Sequence, residues 1–182
     1  MPTLQPQSAA SPPVPEPLSG TEERLWRSLQ RLLVALPRAL DEDLLRSTGL
    51  SLTQYIVLMH LSEADGNRMR MTDLAVATAL SASRITRLVE TLRMQGLVVK
   101  RPHATDARGS MAVLTEAGRQ RLSGAYPAHL ASARRRVIDQ LDPALVHQLA
   151  EELQAVADPL HSRCRAGGEC CEPPSVHGEA VM

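Results

Sequence analysis

Three features of this 182-residue chain predict a mainly α-helical fold carrying one small β-hairpin. Apolar residues recur at three- and four-residue spacing over long stretches on both sides of a central segment. That segment, Met71–Thr115, reads as a short helix (about Thr72–Ala79), a tight turn at Leu80–Ser83 and a second helix running to Gln95. Gly96 then stops the helix, and two alternating runs, Leu97–Arg101 and Ser110–Leu114, flank the polar loop Pro102–Gly109. Helix, turn, helix and hairpin "wing" is the plan of a winged helix-turn-helix, whose second helix enters a DNA major groove. The flanking helices predict a separate dimerisation platform.

Composition narrows the classes. Net charge is zero and pI about 7.0, which excludes a uniformly basic nucleic-acid coat. Charge is instead concentrated. From Leu80 to Ser110, Arg84, Arg87, Arg93, Lys100, Arg101 and Arg108 stand against only Glu90 and Asp106, the footprint expected for phosphate contact. With no Phe and only Trp26, Tyr55 and Tyr126, the chain lacks the stacking rings of a single-strand platform. No run approaches the roughly 20 apolar residues of a membrane span. The start of the chain shows no apolar secretory core, so the expectation is a cytoplasmic protein without a membrane partner. Cys164, Cys170 and Cys171 all lie near the C-terminus, so no disulfide framework is expected in the globular part.

In order along the chain, residues 1–20 hold Pro2, Pro6, Pro12, Pro13, Pro15 and Pro17 and read as a disordered leader. Thr21–Arg46 is helical, with Leu25, Leu29, Leu32, Leu33, Leu36, Leu40 and Leu44 forming a stripe wide enough to cover both a core and a second subunit. Pro37 should kink or break it near Leu33–Leu36. Ser51–Ala64 is a nearly all-apolar helix opened by the capping-box pair Ser51 and Gln54. Its His60 is open to two readings, a half-buried histidine with a local hydrogen bond or a ligand sensor. Ala64–Arg70 reads as a polar loop with an Asp65-Gly66-Asn67 turn signal.

In the reading head, Thr72 and Asp73 suit a first helical turn, and Leu74, Ala75 and Ala79 should face inward. Ser81 caps the second helix, whose Ile85, Leu88, Val89 and Leu92 form the buried face. Ser83, Arg84, Thr86 and Arg87 project from the opposite side. Arginine grips guanine O6 and N7 with two bonds, and Ser or Thr holds phosphate or touches a base edge. Arg93, farther along, is expected on DNA backbone or on another side chain. The hairpin is expected to set Leu97 and Val99 against Ala112 and Leu114. At its tip Arg108 suits a narrow minor groove, and Asp106 is explained if its carboxylate holds Arg108 or the loop backbone in shape. The candidate DNA-contact set is therefore Ser81, Ser83, Arg84, Thr86, Arg87, Asp106 and Arg108.

Thr115 caps a long helix, Glu116–Gln140, with a kink or break at Pro127; Asp142 and Pro143 open a last helix to about Ala157, striped by Leu145, Leu149, Leu153 and Val156. Arg134, Arg135 and Arg136 read as a solvated face or as dimer salt bridges, with contact to DNA backbone the lesser option. Two-fold pairing would set two recognition helices about 34 Å apart, in successive major grooves. The organisation expected is a 21–160 domain, with dimerisation helices 21–46 and 116–158 around a winged helix-turn-helix at 51–115, then a flexible tail, 161–182. The tail's His161, Cys164, Cys170, Cys171 and His177 match no zinc spacing.

Several of these stretches resemble the MarR family of transcriptional regulators over about Thr21–Ala157. The carriers are Leu50-Ser-Leu-Thr-Gln-Tyr-Ile-Val-Leu58, Met71-Thr-Asp-Leu-Ala75, and Ser83-Arg-Ile-Thr-Arg-Leu-Val-Glu-Thr-Leu92. Most specific is the wing, Asp106-Ala-Arg108-Gly-Ser-Met-Ala-Val-Leu114-Thr115-Glu-Ala-Gly118, similar to the family's Asp-x-Arg, Leu-Thr-x-x-Gly pattern. The resemblance implies a homodimer with first, fifth and sixth helices interlocked. It implies a recognition helix that reads a pseudo-palindrome in double-stranded DNA, with Arg108 in the flanking minor groove. It also implies a small anionic or phenolic effector between platform and reading head, near Tyr55, Met59, His60 and His129. The family's peroxide-sensing branch uses a cysteine near the start of the folded part, and this chain has none there.

The reading is thus a repressor released from its operator by a small molecule, with no cofactor and no bound metal. Two alternatives stay open: control by metal or thiol chemistry of the tail, and a winged-helix protein-interaction module. An enzyme is not expected, since there is no phosphate loop, no metal-ligand helix motif and no nucleophile with an evident base.

Overall fold

The computed structural model describes residues 16–102 and 110–167, with side chains described up to residue 160. The chain divides between Ala35 and Leu36 into two compact units. The described part of the first unit belongs mainly to helix α1, Gly20–Thr48. Its start is a reciprocal cap: Ser19 N donates to Glu22 Oε2 at 2.7 Å and Glu22 N to Ser19 Oγ at 3.3 Å. Leu25, Trp26, Leu32, Leu33 and Val34 are all exposed there. Helical geometry continues through Pro37, so the break expected at that residue does not occur. Pro37 is solvent-exposed, where water can satisfy the carbonyl its missing N–H leaves unpaired.

The second unit takes in the end of α1, which stops at Gly49 in the left-handed conformation, φ 73°. Helix α2, Leu52–Glu63, opens with the expected capping box: Gln54 N donates to Ser51 Oγ at 3.1 Å and Ser51 N to Gln54 Oε1 at 3.0 Å. Asp41 adds a second cap from α1, accepting from Leu52 N at 2.7 Å. The stretch expected as a loop before the reading head contains a 3-10 turn, Asp65–Asn67, and then a strand, β1, Arg68–Arg70. Helices α3, Met71–Thr78, and α4, Ala82–Met94, follow. Strands β2, Val98–Pro102, and β3, Ser110–Leu114, complete the wing.

The wing is therefore a three-stranded antiparallel sheet of order β1-β3-β2 rather than a two-stranded hairpin. Its register pairs Val98 with Leu114, Val99 with Val113 and Lys100 with Ala112. Directly opposed residues share a face, so Val98, not Val99, joins Leu114 and Ala112 in the core. Val99 lies on the outer face, 36% exposed. The expected pairing of Val99 with the inward residues was off by one, which in a strand reverses the face.

Helix α5, Glu116–Arg136, is shorter than expected and runs through Pro127; a 3-10 turn, Ile138–Gln140, follows it. Gln140 Nε2 bonds Arg135 O at 3.1 Å and so satisfies one of the helix's last carbonyls. Asp142 caps a turn, accepting from Ala144 N at 2.9 Å, and helix α6 begins later than expected, at Val146, and continues to Gly167 rather than ending near Ala157. Of His161 and Cys164 only the helical backbone is described, and Cys170, Cys171 and His177 lie outside the described residues.

The core joins α2, α3, α4 and the sheet through Leu58, Leu61, Leu74, Ile85, Val89, Leu92, Val98 and Leu114, with Leu44 and Leu50 at its α1 end. Asp43 ties α1 to α5. Its carboxylate accepts from Ser132 Oγ at 2.5 Å, Arg135 Nη2 at 2.7 Å and Arg136 Nε at 2.7 Å. Hydrogen bonds from Arg136 first, then Ser132, hold its pKa well below the usual carboxylate range. Arg134 bonds Asp139 at 2.7 Å. The arginine cluster of α5 is thus engaged within the chain.

Candidate nucleic-acid interface

Two apolar faces seat the helix-turn-helix. Leu74 of α3 and Ile85, Val89 and Leu92 of α4 are buried, with Leu88 partly so. Ala79 ends α3 at φ 52°, ψ 36° and is solvent-exposed, so the inward position expected for it is wrong. A left-handed residue turns the chain sharply enough to start α4 three residues later. Ser81, extended at φ −63°, ψ 153°, then caps α4, its Oγ accepting from Arg84 N at 3.4 Å.

This local folding leaves one side of the first turns of α4 in solvent. Ser83, Arg84, Thr86 and Arg87 are all exposed. Ser81 and Ser83 hydroxyls lie 3.3 Å apart, and Thr86 Oγ1 donates back to Ala82 O at 2.8 Å, which leaves its lone pairs outward. The guanidinium groups of Arg84 and Arg87 are neither hydrogen-bonded nor ion-paired to a described residue. Arg93 contrasts with them: its Nε and Nη2 grip Glu90 at 2.6–3.1 Å. That ion pair lowers the Glu90 pKa and raises that of Arg93, the hydrogen bond between them being the main cause. Two arginines at the helix start are uncommitted, and the third is tied back.

The wing is anchored where it leaves and rejoins the helices. Thr115 Oγ1 donates to Gly96 O at 2.7 Å and accepts from Gly118 N at 3.0 Å, capping α5 while closing the base of the sheet. Gly118 is buried against Leu97 O, and an added Cβ would press on that oxygen and lie 2.7 Å from Leu114 Cδ1. The Leu-Thr-x-x-Gly motif is thus a joint between wing and α5. Asp106, Arg108 and His103 lie outside the described residues.

A second candidate locus lies between α2 and α5. Tyr55 is buried, and its ring centroid is 4.4 Å from that of His129, tilted by 33°. His129 Nδ1 is buried without a hydrogen-bond partner among the described residues. Burial pushes the His129 pKa down and that of Tyr55 up. Met59 packs on the core edge and His60 is half-buried, neither belonging to the stacked pair. Among the described residues no group of three or more His, Cys, Asp or Glu could hold a metal ion, and no helix is long and apolar enough to cross a membrane.

Sequence reasoning missed the sheet's third strand and the cations it carries, Arg68 and Arg70. The only signal was an Arg-Met-Arg alternation three residues long, too short to tell from a loop.

A family model described as MarR family matches residues 48–109. The HTH-type transcriptional repressor YetL of Bacillus subtilis (strain 168) is 35% identical over 81 residues, 44% of this chain and 48% of that protein. The chain thus spans about half the length of that curated relative. Among solved structures, AbsC, a MarR family transcriptional regulator from Streptomyces coelicolor, is 36% identical with a TM-score of 0.72, covering 81% of this chain and 99% of that one. Sco3205 of the same organism, a MarR family regulator solved in complex with DNA, is 33% identical with a TM-score of 0.74, covering 81% and 92%. CouR from Rhodococcus jostii RHA1, solved bound to p-coumaroyl-CoA, is 27% identical with a TM-score of 0.63, covering 74% and 92%.

Proposed function

The chain belongs to the MarR family of transcriptional regulators, and from that premise we propose that it is a homodimeric repressor, released from a pseudo-palindromic operator by a small molecule. The observation that carries the DNA reading is the exposed start of α4, where Arg84 and Arg87 are uncommitted while Arg93 is held by Glu90. Side chains already paired within the protein have less to offer a base edge; these two have their forks available for guanine. Ser81, Ser83 and Thr86 take backbone or base-edge contacts beside them. Arg108 reaches the flanking minor groove, with Asp106 shaping the loop, as the wing motif suggests. That Sco3205, 33% identical, was solved in complex with DNA supports a DNA-binding role.

Dimerisation is favoured by apolar surface that one chain leaves in water. Leu149, Leu153, Val156 and Leu160 repeat at helical spacing on α6 and are all exposed. Burying such side chains is worth roughly 1.5–3 kcal/mol each, a strong drive toward a second copy. The effector we place at the Tyr55–His129 pair, where a bound hydrogen-bond donor would supply the partner that His129 Nδ1 lacks among the described residues. Release requires only that the effector bind better to a dimer whose heads are wrongly spaced.

Fluorescence anisotropy with DNA from upstream of the protein's own coding region, across a salt series, tests the reading. Tight binding that outlasts competitor DNA and falls steeply with salt is expected. Binding equal to that of random duplex would refute it.

A further inference from the structure

Across residues 82–102, which span α4 and β2, the sequence sets Arg84, Arg87, Arg93, Lys100 and Arg101 against a single acid, Glu90. Helical spacing gives that acid its place. Glu90 follows Thr86 by four residues and Ser83 by seven, so it lies on the face that carries them, one turn beyond Thr86. The buried side of α4 belongs to Ile85, Val89 and Leu92, and the Glu90 side chain is 47% exposed. A carboxylate on a face offered to a polyanion works against binding, and core packing does not account for it.

Two cations converge on Glu90. Arg93 Nε bonds Oε2 at 3.0 Å and Oε1 at 3.1 Å, and Arg93 Nη2 bonds Oε1 at 2.6 Å. The grip takes up two of the three guanidinium nitrogens. Lys100 of β2 pairs with the buried Ala112, so it stands on the helix-facing side of the sheet. Its charge lowers the Glu90 pKa too, as a smaller cause after Arg93. Arg84 and Arg87, one and two turns earlier, carry no such restraint on their guanidinium groups.

We propose that Glu90 is a charge filter in DNA recognition: it withholds Arg93 from phosphate, and so weakens binding to duplexes in which α4 meets no matching bases. This inference rests on the DNA-binding reading above and names the residue that limits binding away from the operator. Phosphate contacts carry no sequence information and supply nearly all non-specific affinity. A free arginine at this turn would add one such contact on any duplex. On an unselected duplex the protein settles wherever it meets most phosphates, so the gain there is complete. On a selected duplex the bases fix α4, and Arg93 is left with what lies within reach. Holding Arg93 on its own helix therefore weakens the unselected complex more, which is discrimination by a repulsive element. The pair is half-exposed and adds little to stability, so its removal reads out in binding.

The test is the salt dependence of binding by the full chain. One probe is a duplex recovered from a random-sequence pool by the wild type, and the other an unselected duplex of equal length. Glu90→Gln should steepen the slope of log affinity against log salt by about one on the unselected duplex. Over the decade from 1 M to 0.1 M salt that amounts to about 10-fold tighter binding. The selected duplex should gain less, so the affinity ratio falls. Arg93→Gln alone should leave the slope unchanged, because that cation was not on phosphate. Glu90→Gln with Arg93→Gln should lose the added slope, and Glu90→Asp, which keeps the charge, should stay near the wild type. If Glu90→Gln melts early, Glu90→Ala should give the same steepening. An unchanged slope in both Glu90 variants, while the wild type still discriminates the two duplexes, overturns the inference and leaves the DNA reading standing. A slope that falls by one in Arg93→Gln also overturns it, since Arg93 would already hold phosphate. So does an equal gain on both duplexes, or a loss confined to the selected one, which marks Glu90 as a base contact. A wild type that recovers no duplex overturns the DNA reading itself.

Discussion

Replacing Gly118 with alanine should destabilise the protein although the site is helical. In an ordinary helical position the exchange gains roughly 1 kcal/mol, because alanine loses less backbone freedom on folding. Here the new methyl group would press on Leu97 O and lie 2.7 Å from Leu114 Cδ1. The oxygen has little freedom to retreat. It accepts from Thr115 N at 3.1 Å and shares with Gly96 O the hydroxyl proton of Thr115, whose Oγ1 is 3.0 Å away, bonds that close the base of the wing. Overpacking of this kind costs about 1–3 kcal/mol, and two weakened hydrogen bonds add about 1 kcal/mol each. Set against the intrinsic gain, the net loss is about 2–4 kcal/mol. That corresponds to a fall in Tm of about 5–15 °C for a chain of this size. Gly124→Ala on the same helix is the internal control, since nothing lies within 4 Å of its added Cβ. It should stabilise by about 0.5–1 kcal/mol. Thermal unfolding followed by circular dichroism, at one fixed protein concentration because dimerisation shifts Tm, measures both. A Gly118→Ala protein as stable as Gly124→Ala would refute the close approach of α5 to the wing.

Other outcomes follow from the same geometry. Arg84→Ala and Arg87→Ala should each cost about 1–3 kcal/mol of operator binding and relax preference at one base position. Anisotropy with single-base operator variants reads this, and uniform weakening across all variants would reassign the residue to phosphate. Asp43→Asn should lower stability at neutral pH, because the folded state holds this carboxylate ionised among Arg135, Arg136 and Ser132. A depressed folded pKa means that the contribution is complete above about pH 4 and is lost as acid protonates the group. The gap between variant and wild type in urea unfolding should therefore narrow below pH 4; a gap independent of pH would exclude the charge as its cause. Ala79→Gly should leave stability unchanged or raise it by up to about 1 kcal/mol, the relief of a left-handed alanine offsetting glycine's extra unfolded-state freedom. A loss beyond 1 kcal/mol, measured in the same melts, would show that the alanine methyl group packs.

What the amino-acid order determines alone is local. Ser51 with Gln54, Ser81 and Thr115 each cap a helix through a partner three residues away, so their signatures are complete within one short window. The buried stripe of α4 and its exposed arginines follow from a 3.6-residue period and are equally self-contained. The left-handed turn at Ala79 and the reach of α1 through Pro37 were less legible, because local penalties of a few kcal/mol yield to packing. What only the tertiary structure decided depends on residues far apart in the chain. β1 is three residues long and becomes a strand by pairing with β3, more than forty residues on. Its arginines acquire a face, and a neighbour in Arg101, only through that register. Asp43 meets Ser132, Arg135 and Arg136 about ninety residues away, and Tyr55 meets His129 across two helices. Gly118 is required not by its own helix but by the carbonyl of Leu97 pressed against it. Caps and amphipathic stripes rest on short-range sterics and hydrogen bonds that neighbouring residues specify. Sheet register and buried ion clusters exist only once loop closure has brought distant segments together, and no single window of sequence contains both partners.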